Sequence, residues 1–133
     1  MMPDGLVTHP SAHSVAETMD RLAAAVVARG MTVFVRVDHG TAATEAGMDL
    51  RPTELLVFGQ AKGGTPLMQA SQTAGIDLPL KALCWADEAG VVRLGYNDPL
   101  WIARRHDAGD AAAASVRAMG AMLEAVSGEA CRP

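Results

Sequence analysis

The sequence predicts one two-layer α+β domain, an antiparallel sheet with two helices on one face, in the order β-α-β4-α. Three observations predict it. A segment near each end repeats apolar residues at the helical period, and four short runs of strand character lie between them. The period changes abruptly at Gly30, where a helical stripe gives way to alternation. Gly, Pro, Asn and Asp then punctuate the runs that follow.

Leu6-Val7-Thr8 is a short apolar start that suits a first strand. Ser14-Val15-Ala16-Glu17 is a capping box: the Ser14 hydroxyl can accept from the Glu17 amide, and the Glu17 side chain can reach back to the Ser14 amide. Behind it Val15, Met19, Leu22 and Val26 form one apolar stripe, and Arg29-Gly30 supplies a last-turn cation and a stop. The first helix is therefore expected from Ser14 to Arg29. From Met31 to His39 the alternation places Met31, Val33, Val35 and Val37 on one face, with Thr32, Phe34, Arg36 and Asp38 on the other. Thr41 to Glu45 suits one helical turn. Thr53 to Phe58 is apolar on both faces, as in a central strand. Gly59 to Gly64 reads as a loop, with Thr65 as N-cap and Pro66 as first residue of a short helix ending near Gln72. Leu80 to Trp85 and Val91 to Tyr96 form a hairpin through Asp87-Glu88-Ala89-Gly90. Asn97-Asp98-Pro99 ends that ladder. Ala112, Val116, Met119, Leu123 and Val126 mark the second helix, from Asp110 to Ser127. Gly120 inside it costs about 1 kcal/mol relative to Ala, which close packing would explain. In this arrangement Leu83, Trp85, Val92, Leu94 and Tyr96 face the helices, while Phe34, Arg36, Ala82, Cys84 and Arg93 occupy the open face.

The 133 residues fit a single domain spanning residues 1–133, with Met1 to Pro10 and Gly128 to Pro133 expected to fray. Half the residues are hydrophobic and a fifth are charged, an ordinary globular balance. A net charge of -4 argues against a nucleic-acid or anionic-membrane partner, since both need a basic excess. No apolar run approaches the ~20 residues of a membrane span. Met1-Met2-Pro3-Asp4 does not open a secretory signal, and two cysteines, Cys84 and Cys131, make no disulfide framework. A reduced, cytoplasmic protein is the expectation.

Three segments carry a resemblance: Val37-Asp38-His39 with Ala42; Arg51-Pro52-Thr53-Glu54-Leu55-Leu56-Val57-Phe58-Gly59 through Gly64-Thr65-Pro66-Leu67-Met68; and Asp77-Leu78-Pro79-Leu80-Lys81 running to Tyr96-Asn97-Asp98-Pro99. In this order they resemble the bacterial and archaeal family called domain of unknown function 302. The resemblance implies a β-α-β4-α fold similar to the TATA-binding-protein-like class, commonly dimeric, and no established activity or catalytic residues.

The site candidates therefore rest on chemistry. His39 follows Asp38 at a strand end, and neighbouring strand residues point to opposite faces, so the two cannot share a ligand unless the strand breaks there. As a general base, His39 would need help from Asp98 or His106 on nearby loops. His9, His13, His106 and Asp98 lack the spacings of a metal site, so no metal and no cofactor are expected. Lys62, Gly63, Gly64 and Thr65 lead into a helix start, where free amides and a cation suit a small anion. This is not a Walker loop, because the lysine precedes the glycines. Cys84 suits an apolar filler better than a nucleophile. The leading expectation is a homodimeric domain that binds a small molecule or anion. The alternatives are an enzyme using His39 and a structural or protein-interaction module.

Overall fold

A computed structural model describes residues 2–133; Met1, part of the segment expected to fray, lies outside the described residues. The chain forms strands β1 (Leu6–Pro10), β2 (Thr32–Asp38), β3 (Thr53–Gly59), β4 (Leu80–Ala86) and β5 (Val92–Asn97). Its helices are α1 (Val15–Ala28), α2 (His39–Glu45), α3 (Ala61–Ala70), α4 (Pro99–Arg105) and α5 (Ala113–Cys131). Two 3-10 turns, Gln72–Ile76 and Gly109–Ala112, complete the order. The five strands make one open antiparallel sheet in the order β1-β5-β4-β3-β2.

Helix α1 starts where its cap predicts, with the Glu17 amide donating to Ser14 Oγ at 3.1 Å. The reciprocal arm of the box is different: Glu17 Oε1 lies 3.5 Å from His13 Nδ1. Gly30 ends the helix at a φ of 79°, a left-handed conformation that a side chain would strain. Helices α1 and α5 pack on each other and on the face presenting Leu56, Phe58, Ala82, Cys84, Leu94 and Tyr96, all buried. Burying such side chains contributes roughly 1.5–3 kcal/mol each before entropy is counted.

The two sheet faces differ from the expected assignment. Leu56 pairs with Ala82, Ala82 with Tyr96, and Cys84 with Leu94, so Ala82 and Cys84 belong to the core layer. Leu83 and Trp85 point the other way and are half-buried on the open face, where Trp85 lies across Gly95. A Cβ at Gly95 would stand 3.2 Å from the Trp85 ring, so the glycine makes room for it. In β2 the register shifts between Val33 and Val35. This bulge turns Arg36 toward the helices and Val35 and Val37 toward the open face, reversing the expected alternation. Arg93 does lie on the open face, opposite Trp85.

The helices also depart from their expected bounds, α2 starting at His39 and not Thr41. Helix α3 begins at Ala61, with Gln60 as an N-cap that makes no side-chain bond, so Thr65 is its fifth residue and not its cap. Helix α4 occupies residues expected to be loop: the Asp98 side chain accepts from the Leu100 amide, and Pro99 sits at the first helical position. Helix α5 runs on to Cys131. Nothing lies within 4 Å of a Cβ built on Gly120, so close packing does not explain that glycine.

Both termini are tied down where fraying was expected. Leu6–Pro10 pairs with β5 along its whole length. The Ala12 amide donates to the Cys131 carbonyl at 2.8 Å, and Arg21 donates to the carbonyls of Glu129, Ala130 and Arg132.

Candidate functional site

The start of α3 forms one wall of a groove of about 480 Å³. The start of β2, the end of β3, the entry to β4 and the flank of α5 form the others, so the site draws on four stretches of the chain, within residues 29–34, 59–68, 78–80 and 115–122. Four methionines line it: Met31, Met68, Met119 and Met122. Their unbranched thioether chains fill irregular space and re-pack easily around a guest. Leu78, Pro79 and Leu80 close another side, and Phe34, 56% exposed, stands at the rim.

Gly63 and Gly64 keep the groove open. A Cβ at Gly63 would meet Met119 Cγ at 3.9 Å, and one at Gly64 would meet Leu78 Cδ1 at 3.4 Å. Larger side chains there would project into the space a ligand would use. The first turn of α3 bonds weakly to its own cap, the amides of Gly63 and Gly64 reaching Gln60 O at 3.1 and 3.3 Å. The amides of Ala61 and Lys62 precede them and have no acceptor inside the helix.

Two cations line the groove. Arg29 is committed, its Nη1 and Nη2 donating to the two carboxylate oxygens of Glu129 at 3.1 and 2.9 Å. Lys62 is exposed and makes no ion pair among the described residues. No carboxylate is among the described residues lining the groove.

The other candidates are scattered. Asp38 caps α2, accepting from the Thr41 amide and hydroxyl at 2.9 Å each. These bonds hold its carboxyl below the usual range. His39 is the exposed first residue of α2, and its side chain makes no hydrogen bond among the described residues. Asp98 caps one end of α4, and His106 closes the other. The structure therefore does not assemble His39, Asp38, Asp98 and His106 into one centre.

His106 has partners that the sequence reading missed. Its Nε2 lies 2.6 Å from Asp77 Oδ2 and its Nδ1 lies 2.9 Å from Thr73 Oγ1. Arg105 Nη1 donates to both Asp77 oxygens. Burial pushes the Asp77 carboxyl up, but the His106 hydrogen bond and the Arg105 charge outweigh it and hold the group below its ordinary value. This cluster ties the 3-10 turn after α3 to the end of α4.

A second cluster lies on the helix side of β2 and β3, partly open to solvent. Arg36 Nε donates to Glu54, a carboxylate 7% exposed, at 2.7 Å, and Arg36 Nη1 donates to Asp20 at 2.6 Å. Glu54 also borders a second groove, of about 490 Å³, with Asp38 and Glu45, but Glu54 and Asp38 are already engaged. Cys84 is buried, and desolvation pushes its thiol up to about 12, which disfavours the thiolate that a nucleophile needs. No group of three His, Cys, Asp or Glu residues placed to hold a metal occurs among the described residues.

The fold and groove define an open-faced two-layer α+β domain with one apolar cleft at the start of a helix. The chain belongs to the family described as domain of unknown function DUF302, whose pattern it matches over residues 7–126. A crystal structure of an uncharacterized conserved DUF302 protein from Bacillus stearothermophilus superposes with a TM-score of 0.84. It covers 98% of this chain and 100% of that one at 18% identity, a likeness of fold. Among curated proteins, fluoride-specific ion channel FluC 1 of Brucella suis biovar 1 (strain 1330) is 51% identical over 119 residues. FluC 1 of Brucella abortus and FluC 2 of Brucella melitensis match at the same identity and length. These alignments take in 90% of this chain but only 47%, 44% and 44% of the relatives, so the chain spans less than half their length. No helix among the described residues is long and apolar enough to cross a membrane.

Proposed function

We propose that this chain is a small-molecule-binding domain that works as a homodimer, with the ligand held in the α3 groove. The observation that carries this reading is the groove itself. Its volume of about 480 Å³ falls within the ~300–1,000 Å³ of ordinary small-molecule sites. Its lining is apolar, with Lys62, Gly63, Gly64 and Thr65 along one wall. The enzyme alternative has less support, because His39 stands outside both grooves.

The dimer rests on the sheet's other face. Leu55, Val57, Leu83 and Trp85 are half-buried there, and every non-glycine strand residue that is fully buried lies on the helix side. An apolar patch on a sheet face, bordered here by Lys81 and Arg93, suits a second copy of itself. Native mass spectrometry of the purified protein tests both parts together. Twice the chain mass and a retained small molecule are expected; a bare monomer would contradict the reading.

The Brucella relatives favour a second reading. Their names assign fluoride conduction to longer proteins, of which the region like this chain is under half. On this reading the domain is a module that accompanies a fluoride-handling membrane protein. Thermal unfolding with sodium fluoride against sodium chloride separates the two: a shift specific to fluoride would favour the second.

A further inference from the structure

We infer that the groove's ligand is an amphiphilic anion, an aliphatic tail carrying one carboxylate, with the tail among the methionines and the head beside Lys62. This rests on the reading of the groove as a binding site and names the class of molecule it takes.

Charge is the first argument. The chain carries 15 acidic against 11 basic residues, yet no carboxylate is among the described residues lining this groove. Of its two cations, Arg29 is neutralised by Glu129, and Lys62 is left with no counter-ion among the described residues. A cationic guest would meet an uncompensated ammonium, whereas an anionic one would supply the missing partner. The amides of Ala61 and Lys62 open the same wall, so a carboxylate beside Lys62 also meets the positive end of α3.

The rest of the lining is the second argument. A small inorganic anion would leave the half-buried Met68, Met122 and Leu78 facing water. An aliphatic tail covers them, and each methylene fully removed from water tightens binding about fourfold. The methionines give a soft wall that accepts tails of different shape. Gly63 and Gly64 let the guest approach the helix backbone where the tail must meet the head. A neutral lipid would leave the Lys62 ammonium without a counter-ion in this mostly apolar cleft.

Calorimetric titration of the full chain with decanoate, octanoate and decanol, all below micelle formation, tests the inference. Decanoate should bind at one saturable site, octanoate about fifteenfold more weakly, and decanol about fivefold more weakly. Lys62→Gln should erase the preference for decanoate over decanol while leaving decanol binding unchanged. Gly63→Leu fills the groove, and its Cβ meets neighbours only at ordinary distances of 3.9 and 4.0 Å, so it should fold and lose all three ligands. If decanol binds as tightly as decanoate in the parent, or Lys62→Gln keeps the preference, the head-group assignment is wrong although the groove remains a site. If none of the three binds, or all bind Gly63→Leu equally well, the groove reading fails and this inference fails with it.

Discussion

Replacing Leu83 by Glu should split the proposed dimer without unfolding the protomer. Leu83 lies on the open face of β4, opposite Gly95 and half-covered by its own chain. Five strands spaced ~4.8 Å apart, each of about six residues rising ~3.3 Å, give a face of roughly 500 Å² per protomer. Two such faces bury about 1,000 Å², close to the lower bound for a specific interface, so little can be lost before the dimer dissociates. Completing the burial of one Leu83 is worth about 1 kcal/mol, because half its surface is already covered. A two-fold interface counts that loss twice. Desolvating the new carboxylates adds at least ~1 kcal/mol more, so the dimer constant should weaken at least a hundredfold. Sedimentation velocity across the micromolar range reads this directly. Val27→Glu, at a residue of α1 that is 58% exposed, serves as a control that should leave the dimer intact. A parent that is monomeric at tens of micromolar, or a Leu83→Glu protein still dimeric there, would refute the use of this face.

Three further outcomes follow from the described contacts. Gly120→Ala should stabilise the fold by about 1 kcal/mol, since the residue is mid-helix with nothing within 4 Å of a Cβ; calorimetry should show Tm rising by roughly 3–5 °C, and a fall would reveal a hidden contact. Asp77→Asn should cost about 1–3 kcal/mol at neutral pH by urea unfolding. Because the folded Asp77 pKa lies below its unfolded value, its share of stability is present above the unfolded pKa near ~4 and disappears as pH falls through the folded value. The variant should therefore lose less stability than the parent on acidification, and parallel pH curves would contradict the assignment. Cys84 and Cys131 are both buried with thiols raised by desolvation, so a thiol reagent at pH 8 should label neither until denaturant is added; fast labelling in native buffer would contradict their burial.

The α1 boundaries were readable in sequence because each rests on a local rule, the Ser14 cap at one end and the left-handed Gly30 at the other. The sheet faces were not, because β3 and β4 are apolar on both sides. With Leu83 and Trp85 as large as the true core residues, hydrophobicity alone could not say which parity faces the helices. The bulge in β2 compounded this: one extra residue inverts every side chain after Val33, and nothing between Val33 and Arg36 announces it. Helix α4 did have a signal, since Asp98-Pro99 is an N-cap followed by proline, but the same pair also ends a strand. The Lys62-Gly63-Gly64 segment stood out for its chemistry, although its glycines lie inside α3 and not before it. The four methionines of the groove carry no joint signal, because they come from two separate helices, α3 and α5, and the residue before β2.

The most direct measurement is a methionine-methyl NMR titration with decanoate. Met31, Met68, Met119 and Met122 line the groove, whereas Met19 is buried in the core and Met48 is exposed elsewhere. The four groove methyls should shift together and saturate at one equivalent per chain, while Met19 and Met48 stay in place. Shifts confined to Met48, or no shift at any methyl while decanoate is bound, would place the ligand outside this groove.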